Sequence, residues 1–305
     1  MRSHVKGLLF GVSMLMGLMW VSEAAAFVPS GGSRLLMYFS NKSFVSGAGN
    51  NTGFTVALIT NTDNSVASKV AVKYHRGSDC ASTTPVIFDI AAGETLRFDT
   101  SSTAPTFQEG VIEAFFVNGA GQPVRNDAGV GATIIVDNLL PGVARLPAAV
   151  LHSDDRVGAK NSLIADNADG TSFAPLLLSA QFVDPGIVTA RLALFGPGTA
   201  PGTSGADTTA SINFRLPNGG GAATTTLDFQ CGRTATLASV RGLSAAGFQA
   251  AYPSGGVVAP TVDGQAKGLV GWLIETIQIT SPVTVNLLFG QKLEGIGTAS
   301  LDAHP

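Results

Sequence analysis

Residues 54–77 read FTVALITNTDNSVASKVAVKYHRG, and this stretch predicts the fold. Apolar residues recur at every second position from Phe54 to Leu58 and again from Val70 to Tyr74. Between the two runs, Asn61–Asn64 supplies residues that favour turns. The stretch is therefore typical of two strands joined by a turn. The second strand is expected to have a dry face of Val70, Val72 and Tyr74 and a wet face that includes Ala71.

The same pattern continues along the rest of the chain. Short runs of β-branched and aromatic residues are separated by Gly, Pro, Asn, Asp and Ser. Glu109–Val117 and Thr133–Val136 are nearly continuous apolar runs, which suit strands buried on both faces. Only Leu243–Tyr252 is expected to be helical. The sequence therefore predicts an all-β protein made of two tandem antiparallel β-sandwich domains.

The two halves of the chain resemble each other in five segments that occur in the same order. The pairs are FTVALITN (54–61) with VTARLALF (188–195), VAVKYHRG (70–77) with INFRLPNG (212–219), TTPVIFDI (83–90) with TTTLDFQC (224–231), GETLRF (93–98) with GRTATL (232–237), and EGVIEAFFV (109–117) with KGLVGWLIE (267–275). The second half is then expected to carry extra loops, chiefly Ala245–Ala266. Two interpretations stay open: a tandem repeat, or chance similarity among valine-rich strands.

The N-terminus predicts a cleaved signal peptide in residues 1–26. Arg2 and Lys6 precede the uncharged apolar run Leu8–Val21, and Ala24–Ala26 form a small-residue cleavage site. The run is shorter than the roughly 20 residues of a membrane-spanning helix, so cleavage is preferred over an anchor. We expect an exported protein of the periplasm, the cell surface or the extracellular space, with no transmembrane segment in the mature chain.

The mature chain is expected to contain two domains, 27–151 and 173–305. Between them, residues 152–172 form the most polar stretch, with clustered charges, Asn and Gly and little periodicity. Such a stretch is typical of a linker or an exposed inter-domain loop.

The low charge content of the chain argues against two classes of partner, nucleic acid and anionic lipid. Charged residues make up 13% of the 305 residues, and the net charge is −3. A charge-poor, mildly acidic surface offers no basic patch for nucleic acid or for anionic lipid. The composition is compatible with a protein or cell-surface partner.

Cys80 and Cys231 are the two cysteines of the chain. In an oxidising compartment a pair of cysteines commonly forms one disulfide, which here would tie the two domains together. Two separate thiols stay open as the alternative, because sequence does not set the Cα distance that a bridge requires.

The candidate site residues lie in the polar stretch. His152, Asp154 and Asp155 could form an acid–base or metal-binding group, but a solvated loop is the preferred interpretation. Asp166 and Asp169 resemble part of a calcium loop. Ala168 stands where an oxygen ligand is needed and no closing Glu follows, so an Asx turn is preferred and no metal or cofactor is expected.

Catalytic motifs are missing from the sequence. Neither G-x-S-x-G nor H-E-x-x-H occurs. A hydrolase would require His75 or His152 to meet a Ser or a carboxylate within hydrogen-bond reach. His75 is expected to border solvent at the end of a strand, and Trp272 is expected to pack in a core or against a sheet. The sequence therefore favours a protein that is not an enzyme.

The segment Leu35–Val117 combines a Tyr38–Phe39 strand with TVALITNTDN, KVAVKYHRG, VIFDI and EGVIEAFFV. In these features it resembles a diffuse group of exported bacterial proteins with immunoglobulin-like β-sandwiches. No activity is established for that group, so the resemblance implies a fold and no catalytic residue. We expect an exported non-enzymatic structural, adhesive or interaction protein. The alternative is a small-ligand or glycan-binding module that uses the inter-domain cleft near 152–169.

Overall fold

Most of the chain after residue 33 is described by the computed structural model. The described residues are 34–44, 52–79, 81–103, 106–122, 124, 128–139, 143–151, 178–185, 188–196, 208–262, 269–280 and 284–295. Strands dominate this part of the chain, and the paired strands run antiparallel. The all-β prediction is confirmed. The signal peptide predicted for 1–26 and the linker predicted for 152–172 lie outside the described residues and stay predictions.

The first half forms two sheets. Sheet I has the strand order β4-β3-β6-β1-β9, and sheet II has the order β5-β2-β7-β8. A short helix, α1 (Thr100–Thr103), joins β5 to β6. The strands are β1 (Arg34–Ser40), β2 (Gly53–Asn61), β3 (Ser68–Arg76), β4 (Val86–Ile90), β5 (Thr95–Asp99), β6 (Glu109–Val117), β7 (Gly129–Asp137), β8 (Val143–Pro147) and β9 (Ala149–Leu151).

The second half also forms two sheets, sheet III (β13-β12-β15-β10-β18) and sheet IV (β14-β11-β16-β17). Two short helices, α2 (Leu237–Val240) and α3 (Ala245–Ala251), follow β14. The helix predicted within Leu243–Tyr252 is thus confirmed as α3. The strands are β10 (Leu178–Phe182), β11 (Val188–Phe195), β12 (Thr208–Arg215), β13 (Ala223–Phe229), β14 (Gly232–Thr236), β15 (Gly256–Val262), β16 (Val270–Thr280), β17 (Thr284–Lys292) and β18 (Glu294–Gly295).

The halves share one strand order. Adding nine to each label of sheet I gives the order of sheet III, and the same step converts sheet II into sheet IV. Four of the five sequence pairs therefore occupy equivalent strands, namely β2 with β11, β3 with β12, β4 with β13 and β5 with β14. The two halves thus share one topology, and the tandem repeat stays a prediction.

The fifth sequence pair is wrong. EGVIEAFFV forms β6, whose equivalent is β15, whereas KGLVGWLIE leads into β16, the equivalent of β7. The error arose because β15 falls inside Ala245–Ala266, the segment expected to be an extra loop. Pro260 of that segment pairs with Ile212 of β12. It lies beyond Gly256–Val258, the part of β15 that also pairs with β10, so only β12 flanks β15 at the proline.

Each half encloses a hydrophobic core between its two sheets. In the first core, Leu35, Met37 and Phe39 of β1 contact Ala57 and Ile59 of β2. The second core joins sheets III and IV and also receives side chains from α2 and α3. Its largest members are Phe182, Phe214, Phe229, Phe248 and Tyr252.

A third cluster, the shared core, contains buried side chains from both halves. The first half contributes Leu36, Tyr38, Phe44, Val111, Ile135, Ala144, Leu146 and Ala149, and the second half contributes Ala193, Phe195, Cys231, Val270, Trp272, Ile274 and Leu288. Because side chains alternate along a strand, β1 points odd residues into the first core and even ones into the shared core. Strand β16 does the same for the second half, with Trp272 in the shared core and Leu273 in the second core.

Sheet I is consequently buried on both faces over much of its area. All residues of β1 are buried, and in β6 only Glu109 is not. The prediction for Glu109–Val117 is confirmed. The wet face expected for β3 is wrong in part, because Ala71 packs with Phe115 and Val117 and is 1% exposed.

Trp272 ties the halves together through both packing and a hydrogen bond. It is fully buried, as expected from its place in a strand. Its ring centroid lies 6.0 Å from that of Tyr38, and its Nε1 donates to the Pro147 carbonyl at 3.0 Å. Both partners belong to the first half, so Trp272 links sheet IV to sheets I and II.

The change Trp272→Ala is expected to lower the free energy of unfolding by about 3–5 kcal/mol, because it leaves a large cavity in the shared core. Urea unfolding followed by circular dichroism measures the loss, and one transition is expected for both halves. Leu139→Ala, at a residue that is 50% exposed, serves as the control and should cost no more than about 0.5 kcal/mol. Two separate transitions, with only one of them shifted, would contradict the shared core.

Candidate functional site

A cleft of about 560 Å³ opens between the two halves, beside the shared core. On the first half its wall is formed by Arg76–Ser78, at the end of β3, and by Gln108–Val111, at the start of β6. On the second half the wall comes from Asp228–Gln230 and Gly232–Thr234, where β13 turns into β14. The cleft therefore exists only because the two halves dock.

The floor of the cleft is apolar. Val111, Phe195 and Trp272 line it, and each is at most 2% exposed. These side chains belong to the shared core, so their positions are fixed by packing from both halves. The floor is a rigid surface.

Two glycines bring the backbones together at the cleft. A Cβ on Gly110 would lie 1.9 Å from the His75 carbonyl oxygen, and one on Gly232 would lie 2.7 Å from that of Leu194. Neither position has room for a larger residue. Gly232 N also donates to the Gly77 carbonyl at 2.7 Å, which joins the two halves by a backbone hydrogen bond.

Tyr38 and Glu109 form the polar part of the cleft wall. The Tyr38 hydroxyl donates to Glu109 Oε1 at 2.5 Å and also bonds the Thr234 side chain of the second half. Burial raises the pKa of Tyr38 well above its usual value, and the neighbouring Glu109 carboxylate raises it further. Tyr38 is therefore a neutral donor at any physiological pH.

The charges around the cleft are largely compensated within the chain. Lys42 Nζ lies 4.0 Å from Glu109 Oε2. Arg76 donates to both carboxylate oxygens of Asp79, the shorter contact being 2.5 Å. The pKa of Asp79 is lowered by this hydrogen bond from Arg76. Arg233 Nη1 donates to the carbonyl of Asp228 at 3.2 Å. The cleft is thus lined by three cations, Lys42, Arg76 and Arg233, and two carboxylates, Glu109 and Asp228.

A second polar group lies away from the cleft, inside the protein. His75 Nε2 is 2.8 Å from Glu113 Oε2, and Arg34 Nε is 3.9 Å from Glu113 Oε1. The His75 and Glu113 side chains are 1% and 0% exposed. The expectation that His75 borders solvent is wrong, because the second half covers it. Its ring centroid lies 6.4 Å from that of Phe195.

The His75–Glu113 pair meets the distance that a hydrolase would require. Neither side chain lines the cleft, however, and both are enclosed by protein. A general base has to reach the proton that it removes from a substrate. The pair is thus placed to compensate buried charge.

Glu275 of β16 is a further half-buried carboxyl. Burial raises its pKa to about 7, and a hydrogen bond from Val183 N to Oε1 at 3.4 Å offsets this only in part. Its neighbours in register are Ala190 of β11 and Phe289 of β17, neither of which carries charge.

The candidate residues from the sequence are not tested by the structure. His152, Asp154, Asp155, Asp166 and Asp169 lie outside the described residues, as does Cys80. Cys231 is fully buried in the shared core, next to the Gly232–Gly77 hydrogen bond. Within the described residues, no group of His, Cys, Asp or Glu could hold a metal ion. The helices described here are too short to cross a membrane.

Sequence reasoning did not single out Tyr38, Glu109 or Arg233 as site residues. They lie on three strands, and Tyr38 and Arg233 belong to different halves of the chain. Neither residue spacing nor a local motif links them. Only the docking of sheet I on sheet IV brings them to one cleft.

Comparisons with known proteins add little. No family model matches the chain. No curated protein matches it. Among solved structures, CfaE, the adhesive subunit of the CFA/I fimbria of enterotoxigenic Escherichia coli, aligns at 9% identity over 85% of this chain and 87% of that chain, with a TM-score of 0.17. A TM-score this low carries no argument about fold or function.

Glu275→Gln is expected to change how stability depends on pH. The folded protein holds the proton up to about pH 7 whereas the unfolded chain releases it near pH 4.5, so the free energy of unfolding falls as pH rises between these values. Above that range the wild-type protein is expected to be less stable than the variant by up to about 3 kcal/mol. Below about pH 4 the two should agree. Parallel unfolding curves across the whole range would contradict the raised pKa.

Proposed function

We propose that the protein is exported and acts without catalysis, as a structural, adhesive or interaction protein of the cell surface or periplasm. The observation that carries this proposal is the apolar edge of sheet I at β4. A partner protein would contribute an extended segment that adds a strand to this edge.

Strand β4 is available on one side. It pairs with β3, and no other described strand pairs with it. Val86 and Ile87 are 49% and 48% exposed. Because neighbouring residues of a strand point to opposite faces, both faces of this edge are open at its start. An edge with exposed apolar side chains is a template for pairing with another strand. Asp89, near the other end of β4, is exposed and is paired with Lys69 of β3.

Strand β13 provides an internal comparison, because it occupies the equivalent edge of sheet III. Its exposed positions are Thr224, Thr226 and Asp228. Polar and charged side chains are the usual protection of an edge strand against pairing. The fold therefore tolerates a polar edge, and the exposed Val86 and Ile87 are not required by packing, in contrast to Phe88, which packs on the first core, and Ile90, which is buried.

The rigidity of the protein supports the same role. Side chains of both halves share one core, so a load applied at β4 is passed to the second half through packed side chains.

The non-enzymatic part of the proposal rests on the placement of His75 and Glu113, which are enclosed and do not line the cleft.

Changing Val86 and Ile87 together to Lys is expected to weaken capture of the partner at least about tenfold, equivalent to ~1.4 kcal/mol, since charge blocks strand addition. The measurement is capture from the native envelope fraction by the immobilised mature protein, followed by hydrogen exchange of the β4 amides in the complex. Thr224→Lys with Thr226→Lys on β13 is the matched control and should capture normally. Equal loss in both variants, or β4 amides that gain no protection, would contradict pairing at this edge.

A Cys80–Cys231 disulfide is part of the proposal, because an exported protein folds in an oxidising compartment. Gly77, three residues before Cys80, is hydrogen-bonded to Gly232, which follows Cys231. Among the described residues no cysteine is free. The bridge would fasten the two halves beside the cleft.

Digestion of the unreduced mature protein is expected to give one peptide pair linked through Cys80 and Cys231. Reduction should then lower the free energy of unfolding by about 4–5 kcal/mol, because the bridge closes a loop of roughly 150 residues. Mass spectrometry and urea unfolding measure the two effects. If both thiols react with an alkylating agent before reduction, the bridge is absent.

A further inference from the structure

Asp89 places a carboxylate on the β4 edge, close to the exposed Val86 and Ile87. Its side chain is 83% exposed. Its Oδ1 accepts a hydrogen bond from Nζ of Lys69, the residue that lies directly opposite on β3 and is itself 41% exposed. An ion pair this open to water contributes little to stability, because solvent screens both charges. The Asp89 carboxylate is therefore available to a second cation.

The side chains of β4 alternate between the two faces of sheet I. Phe88 packs on the first core, so Val86 and Phe88 share that face. Ile87 and Asp89 lie on the opposite face, about 7 Å apart along the strand. A strand added beside β4 would bring one of its side chains next to each of these positions. The strand that fits this edge therefore has apolar residues beside Val86 and Ile87 and a cation beside Asp89.

The second half shows that the fold does not require this charged pair. When β3 is aligned on β12 as in the sequence comparison, Lys69 and Asp89 correspond to Ser211 and Thr226, which lie opposite each other on β12 and β13. The same place at the equivalent edge is thus uncharged. The carboxylate is therefore a feature of the β4 edge and not of the topology, as the exposed apolar side chains are.

We propose that the partner segment at β4 carries a Lys or Arg beside Asp89 and apolar residues beside Ile87 and Val86. This inference rests on the proposed strand addition and names the chemistry of the added strand. Every described strand pair of sheet I is antiparallel. In the same order the segment reads, from its N-terminus, a basic residue, one further residue and two apolar residues. An acidic residue in the first place would face a like charge, which destabilises the pairing.

The test titrates the full mature protein with three capped peptides, Thr-X-Thr-Val-Val-Thr, in which X is Lys, Gln or Glu. Shifts of the β4 amide resonances in NMR spectra give the Kd of each peptide. The Lys peptide is expected to bind at least about threefold more tightly than the Glu peptide, with the Gln peptide between them. The Gln peptide should bind at least about tenfold less tightly to the Val86→Lys, Ile87→Lys variant, because charge at these positions blocks strand addition.

Two variants separate the local charge from the charge of the whole protein, because both leave the net charge at −3. Exchange of the pair, as Lys69→Asp with Asp89→Lys, is expected to reverse the order, so that the Glu peptide binds most tightly. Replacement by the pair of the second half, as Lys69→Ser with Asp89→Thr, is expected to give one Kd for all three peptides. Both side chains are exposed, so both variants should unfold at the same urea concentration as the wild-type protein.

Two results would overturn the inference and leave the edge proposal standing. One is a wild-type protein whose β4 amides shift with the same Kd for all three peptides. The other is a preference for the Lys peptide that persists in the exchanged variant, since its source would then lie away from Asp89. If no peptide shifts the β4 amides of the wild-type protein, the edge proposal fails and the inference fails with it.

Discussion

The rest of the structure depends on the shared core, in which sheets I and II of the first half are buried against sheet IV. Strands β1 and β6 of sheet I and β11 and β16 of sheet IV contribute alternate side chains to two different cores, so neither sheet keeps a face free for water over its centre. Separating the halves would expose Tyr38, Phe195 and Trp272 together, and hydrophobic burial opposes this. Gly31–Pro305 therefore groups into one compact unit.

The docking of the halves also encloses polar groups that would otherwise be solvated. Arg34, His75 and Glu113 meet under the second half, where charges are costly unless they compensate one another. A buried polar cluster of this kind adds little net stability, because desolvation of its charges offsets their attraction. All three residues lie on sheet I, on β1, β3 and β6, so the pairing of these strands brings them together and the second half only covers them.

Because the two halves share one strand order, equivalent strands can be compared to see which features come from the side chains and which from the topology. The same topology carries an apolar edge at β4 and a polar edge at β13, so the difference lies in side chains and not in the fold. The interface between the halves is not built from one pair of sheets. Sheet IV packs on both sheets of the first half, since Leu288 of β17 clusters with Ala144 and Leu146 of its equivalent, sheet II, and Trp272 clusters with Tyr38 of sheet I.

The sequence by itself determined the strands, their antiparallel class and most of the equivalence between halves, because periodicity and turn residues act over a few positions. It missed β15, because the pairing of EGVIEAFFV with KGLVGWLIE assigned Ala245–Ala266 to an extra loop. It placed His75 at solvent, because no residue of β3 indicates that the second half covers this face. Only the tertiary structure decided the shared core, the His75–Glu113 contact and the cleft of Tyr38, Glu109 and Arg233. These contacts join residues that are far apart in the chain, and the side-chain packing that selects one docking over another leaves no local pattern.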